Sequence, residues 1–159
     1  MAAEVKFVDN RIQVKKAIHN KSLAVLEGVT GELESQTKRN TRRDNGDVIN
    51  NWKHTVTENG GEFVGIVGNP LENALWEEFG TGEHAINKDG RKDAWYVPVE
   101  GYTGKKRPTY NGKVVIVYGK NKQMFYKTNG KKPSRALHKA WASFKNKAIK
   151  QIQNALGEL

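Results

Sequence analysis

The chain has 159 residues, of which 36% are hydrophobic and 28% charged, with no cysteine and a formal net charge of +10. This composition fits one domain over residues 1–159 with a modest core. It excludes disulfides and thiolate zinc sites, and no apolar run approaches the roughly 20 residues a membrane helix needs, so no membrane association is expected.

The N-terminus "MAAEVKFVDN" lacks the apolar core of a secretory signal, so none is expected. Val14, Ile18, Ser22, Val25, Val29 and Leu33 then recur every three or four residues, which is one face of an amphipathic helix starting near residue 11. Asn10 and Gln13 have the spacing of a capping box. Gly28 and Gly31 each cost about 1 kcal/mol relative to alanine inside a helix and predict a bend or early fraying. The segment 38–47, "KRNTRRDNGD", has no apolar residue and reads as a flexible exposed loop.

Trp52, His54 and Val56 alternate with Lys53, Thr55 and Thr57, a strand pattern, and "ENGG" at 58–61 is a hairpin turn whose Asn and Gly tolerate positive φ. "EFVGIVGN" returns as the partner strand and Asn69-Pro70 ends it. In "LENALWEEF" the spacing of Leu71, Leu75 and Phe79, with Ala74 and Trp76 beside them, predicts a short helix with one apolar side. A flexible polar loop over 84–94 leads to "WYVPV" at 95–99, an edge strand because of its proline. A Gly-rich, basic, flexible connection over 100–112 precedes two more strands, "KVVIVYG" and "QMFYKTNG".

Pro133 and Ser134 open the last helix, with Ser134 as N-cap and Gly157 as its stop. Leu137, Trp141, Phe144, Ala148, Ile152 and Leu156 form its expected buried stripe. The expected architecture is therefore α+β: an N-terminal helix, an antiparallel sheet of four to five strands with a short helical insert, and a long C-terminal helix packed on the sheet.

Charge is distributed unevenly. From Gly101 to Lys150 there are fourteen Lys and Arg and no Asp or Glu, so the rest of the +10 chain sums to −4. Such a basic block attracts polyanions or an acidic partner surface, or it serves only as a solvated lysine face. Tyr102, Tyr110, Tyr118, Phe125 and Tyr126 interleave with its lysines and could stack on bases. Aromatics of strands more often pack into a core, and that reading is preferred for Tyr118 and Phe125.

"ALWEEFGTGEH", residues 74–84, sets Glu77, Glu78, Glu83 and His84 around Gly80-Thr81-Gly82. Neighbours at i,i+1 on a helix do not face one point. His19, His54, His84 and His138 are far apart and show no metal-ligand spacing. A metal-dependent nuclease needs carboxylates converging on one ion, and the basic block offers none. A metal-free RNase could recruit His138, Arg135 and Tyr126, although nothing in their spacing selects them. No nucleophile elbow, phosphate loop or dinucleotide fingerprint is present.

Two stretches together carry a family resemblance. "ALWEEFGTG" resembles the Y-x-x-Y-V-E-F-G-T-G signature of the head–tail joining (neck or tail-completion) proteins of long-tailed bacteriophages and prophages, and "GKKPSRALHKAW" resembles the proline-led opening of their last helix. "TRRDNGDVINNWKHTV" is similar to their P-V-D-T-G-x-L-R-x-S element, with Asp44, Gly46, Val48 and Trp52 in register but without its proline and threonine. Proteins of this kind are often described as minor capsid or tail components.

The resemblance implies a virion structural protein made in the host cytoplasm, without catalysis or cofactor. It would form a homo-oligomeric ring between the portal-side connector and the tail. It implies that Trp76 and Phe79 anchor a turn reversed at Gly80 and Gly82, while Glu77, Glu78, Glu83 and Thr81 face a neighbouring subunit. Arg39, Arg42, Arg43, Lys105, Lys106, Arg107, Lys131, Lys132 and Arg135 would meet an acidic partner or DNA in the channel. The alternative is a basic nucleic-acid-binding protein, a small nuclease or RNase.

Overall fold

The computed structural model describes residues 9–43, 46–98, 115–118 and 124–157. Helix α1 spans Arg11–Asn40. Its start is held by Asp9, whose carboxylate accepts the Arg11 backbone N–H at 3.1 Å, whereas Asn10 makes no side-chain cap bond. The helix runs unbroken through Gly28 and Gly31 and takes in Lys38, Arg39 and Asn40, which the sequence assigns to a loop. Packing explains the difference. The hairpin and the last helix both pack against α1, and tertiary burial outweighs an intrinsic glycine cost of about 1 kcal/mol. At the C-terminal end the Thr41 hydroxyl donates to Thr37 O at 2.7 Å and accepts the indole N–H of buried Trp52 at 3.0 Å. The expected apolar stripe divides along the helix. Val25, Val29 and Leu33 join the core, while Val14 and Ile18, with Ile12, are exposed.

A single turn of helix, α2 (Asp47–Asn50), leads into a β-hairpin of β1 (Lys53–Asn59) and β2 (Glu62–Gly68). They pair antiparallel, with His54 opposite Val67 and Val56 opposite Gly65. One face, with His54, Val56, Phe63 and Val67, is half-buried, and both strands pack on α1. Val64 and Ile66 point outward. His54 ties the hairpin to α1. Its Nδ1 bonds Glu34, its Nε2 lies 3.1 Å from Glu27 Oε2, and its ring rests against Gly31.

After α3 (Glu72–Phe79) the chain forms β3 (Trp95–Pro98), β4 (Val115–Tyr118) and β5 (Met124–Thr128), ordered β3-β5-β4 and antiparallel throughout. The described residues thus hold two sheets, of two and three strands, and not the single sheet of four to five strands expected. The β1–β2 hairpin completes its pairing within itself and covers its inner face with α1. The segment holding α3 then carries the chain off to build the second sheet. Among the described residues Pro98 ends a strand at the edge of its sheet, a position that tolerates a missing N–H.

Helix α4 (Ala136–Gly157) packs along α1, not on a sheet. Phe144 and Ala148 meet Val29, flanked by Val25, Leu33 and Ile152. Its fully buried positions are Ala136, Ala140, Phe144 and Ala148, whereas Trp141 and Leu156 of the expected stripe are exposed. Both stripes have helical spacing. The alanine side wins because small residues let two long helices approach closely, with Phe144 filling the seam. Lys147 and Glu32 close the rim at 2.9 Å.

Candidate functional site

The stretch 69–86 is built from the hairpin outward. The Asn69 carboxamide donates to Val48 O at 2.8 Å and accepts the Leu71 N–H at 3.0 Å, which fixes the entry into α3. Within α3, Ala74, Glu77 and Glu78 are buried, at spacings of three and four. Leu75, Trp76 and Phe79 are 57%, 46% and 51% exposed, and with Glu72 they form the opposite i, i+3, i+4, i+7 stripe. This is an amphipathic helix turned inside out: its carboxylates face inward and its large apolar side chains face water.

The inward carboxylates have partners far along the chain. Glu78 accepts the Leu137 N–H at 3.0 Å and the His138 N–H at 2.9 Å, so it caps α4 from another element. A carboxylate there also satisfies the positive end of the helix dipole. Ser134, expected as that cap, instead gives its hydroxyl and its N–H to Glu77 O, at 3.0 and 2.6 Å. Glu77 takes the Lys131 ammonium on Oε1. Its Oε2 is buried with no hydrogen-bond partner among the described residues.

Past α3 the chain reverses at Gly80, whose φ is +74°, and makes a 3-10 turn over Gly82–His84. This turn runs beside residues 129–131. Thr81 N–H donates to Lys131 O at 3.0 Å, the Lys131 N–H returns to the Thr81 hydroxyl at 2.9 Å, and Glu83 N–H donates to Asn129 O at 3.1 Å. The contact is so close that a Cβ on Gly82 would overlap Asn129 O, and one on Gly130 would overlap Thr81 O. Ile86 N–H bonds Phe79 O at 3.0 Å, bringing exposed Ile86 beside exposed Phe79. The two stretches that carry the sequence resemblance, 74–82 and 130–141, are thus one three-dimensional unit.

The residue assignments change accordingly. Trp76 and Phe79, expected as inward anchors, are on the surface, and Glu77 and Glu78, expected to face a neighbour, are buried within the chain. Packing explains the exchange: the exposed backbone amides of the α4 N-terminus and Lys131 supply polar partners for the acids, so burying them leaves the apolar side outside. Thr81 is half-buried and occupied with Lys131; Glu83 is exposed, 3.7 Å from His84 Nε2. Of the basic residues, Arg42 donates to Lys132 O at 3.3 Å, which joins the end of α1 to the approach to α4. Arg39 and Arg43 are exposed, and Arg135 stands at φ +56° just before α4. Lys105, Lys106 and Arg107 lie outside the described residues, as does the 100–112 connection with Tyr102 and Tyr110. The Glu78 cap and the Glu77–Lys131 pair could not be found from local patterns, since each partner is more than fifty residues away.

A cavity of about 330 Å³ adjoins the flank of α3 that carries Trp76 and Glu77, walled by Val48, Trp76, Trp95 and Val97 with Arg42 and Lys131 at its polar side. Among the described residues no three His, Asp or Glu side chains converge to hold a metal ion, and no helix is long and apolar enough to cross a membrane.

The family described as "Bacteriophage HK97-gp10, putative tail-component" matches residues 6–80, just under half of the chain, and the match runs from ahead of α1 to the glycine that ends α3. The chain resembles the head–tail joining proteins of long-tailed phages. No curated protein and no solved structure gives a match. The HK97-gp10-like region therefore takes in α1, the β1–β2 hairpin and the whole of α3, while the segment that buries the α3 carboxylates lies beyond it.

Proposed function

We propose that this chain is a phage tail or neck component. In this reading it works without catalysis, assembles with copies of itself as a ring between the portal-side connector and the tail, and acts in the virion after synthesis in the host. The outward apolar stripe of α3 carries the reading: Leu75, Trp76 and Phe79 expose large side chains on a short helix, and Ile86 beyond it is exposed as well. Clustered exposed apolar side chains with polar surroundings mark protein docking faces, and aromatic anchors dominate binding energy at such faces. The HK97-gp10-like match supports the structural class. A closed ring needs two unlike faces per subunit, and the separation of a basic block from a slightly acidic remainder suits that arrangement. The basic residues at the end of α1 and ahead of α4 then meet acidic groups of a neighbour or DNA in the channel.

The test replaces Phe79 by Glu and Trp76 by Ser. Both side chains are about half exposed, so the folded monomer tolerates the change. The expected outcome is an unchanged circular dichroism spectrum together with loss of assembly, read as heads without tails when the variant complements a phage lacking the protein. Virions that assemble normally with Phe79→Glu would refute the docking face.

A further inference from the structure

We propose that the cavity beside Trp76 is a socket for a polypeptide segment of a partner subunit in which an apolar side chain stands next to a carboxylate. Four walls, Val48, Trp76, Trp95 and Val97, are apolar and come from three separate elements, so the cavity is a built feature of the fold and not a groove along one helix. Its volume of about 330 Å³ is at the small end for ligand sites and suits one or two inserted side chains.

The charge of the lining selects the occupant. Among the described residues Glu77 is the one acid in it, and the Lys131 ammonium already matches that charge. Arg42 has no carboxylate partner among the described residues; its hydrogen bond goes to the Lys132 carbonyl, leaving donors of the guanidinium fork for an incoming acid. A carboxylate on the occupant completes a bidentate pair there, and an apolar neighbour fills the space between the two tryptophans. Lys132 and Arg135 flank this corner in sequence and add positive potential.

Continuity names a polypeptide as the occupant. Trp76 belongs both to the exposed stripe of α3 and to the cavity wall. A chain laid along that stripe passes over Trp76 and so meets the wall of the cavity. The choice of a polypeptide as occupant thus rests on α3 being a docking face, whereas the apolar and cationic character of the socket is read from its own lining.

The experiment titrates the purified full-length protein with the peptide Ac-Glu-Leu-Phe-Glu-NH2, following the indole N–H signals of Trp76 and Trp95 by NMR. The same titration uses Ac-Lys-Leu-Phe-Lys-NH2 and a short DNA duplex. The expected result is saturable shifts of both indoles with the acidic peptide and none with the lysine peptide. Arg42→Glu and Trp95→Leu should each weaken binding at least tenfold, with thermal unfolding run alongside to confirm that each variant is folded. No shift with the acidic peptide at millimolar concentration overturns the inference, as does equal binding by Arg42→Glu. Shifts with the duplex alone overturn it in favour of nucleic acid. The assembly assay on Phe79→Glu is independent: peptide binding with normal assembly of that variant leaves the socket standing and removes the α3 ring interface, and the reverse pattern does the opposite.

Discussion

The Glu78 carboxylate lies against the first turn of α4, 3.0 Å from the Leu137 N–H and 2.9 Å from the His138 N–H. Helix starts leave backbone donors without intrahelical partners. Here they are satisfied by a residue of α3 some sixty positions earlier in the chain, so one side chain joins two elements. Glu78→Ala strands both donors and should lower stability by about 1–2 kcal/mol, the usual range for loss of a cap. Glu78→Gln keeps one acceptor but loses the charge, and should cost about half as much. Urea unfolding followed by circular dichroism checks both. A Glu78→Ala protein as stable as wild type would show that the cap contributes nothing.

The Gly82 and Gly130 backbones cross so closely that neither accepts a methyl group. In each case an added Cβ would overlap a main-chain carbonyl, and a carbonyl cannot rotate away like a side chain. Both residues also have positive φ, +60° and +119°. Gly82→Ala, at the same φ of +60° as Gly60, combines steric overlap with a strained backbone and should destabilise by about 3 kcal/mol or more. Gly60→Ala in the hairpin turn has open space around its Cβ despite a φ of +60°, so it should cost about 1 kcal/mol. The contrast between the two midpoints of denaturation isolates the close approach from the φ penalty.

How much of this was readable in the chain depends on the range of the interactions. The hairpin was legible because "ENGG" and the alternation of Trp52, His54 and Val56 are local signals. The start of α1 near residue 11 and the span of α4 follow from helical spacing. What spacing cannot supply is which side of a helix turns inward. Glu77 and Glu78 share one side of α3, and Leu75, Trp76 and Phe79 share the other, under either orientation. The choice was made by Lys131, Ser134 and the α4 amides, which are distant in sequence. The same ambiguity put Trp141 in the expected buried stripe, whereas the α1–α4 seam buries Ala140 and leaves Trp141 exposed.

His54 makes the attachment of the hairpin to α1 depend on pH. The bond from Glu34, assisted by the nearby Glu27 carboxylate, holds its pKa above the ordinary histidine value, and Lys38 first and then His54 hold Glu34 below the ordinary glutamate value. For a raised histidine the stabilisation is complete below its unfolded pKa and is lost as pH rises through the folded one. For a lowered carboxylate it is complete above the unfolded pKa and is lost as pH falls through the folded one. Stability from this pair should therefore peak between the ordinary glutamate and histidine values and decline on the alkaline side as His54 deprotonates. The decline should be about 0.5–1 kcal/mol, because the groups are partly solvent-screened. His54→Gln should flatten the alkaline limb of the stability profile while leaving the rest of the curve in place, and an unaltered limb would remove His54 from the linkage.

The α1–α4 seam should respond to volume in both directions, since it is closed by small residues around one large one. Phe144 is 1% exposed and packs with Val29 and Ala148, so Phe144→Ala opens a cavity that neither helix can close without losing the other contacts. The expected loss is about 3–5 kcal/mol. Ala140 is fully buried on the same stripe. Ala140→Leu adds volume where the helices already touch, and should cost about 1–3 kcal/mol by forcing them apart. Ala142→Leu, off the stripe and exposed, should be neutral within about 0.5 kcal/mol. Equal tolerance at positions 140 and 142 would mean that α4 does not present its alanine side to α1. A large effect at 140 with none at 142 would separate this packing from one in which Leu137 and Trp141 are buried.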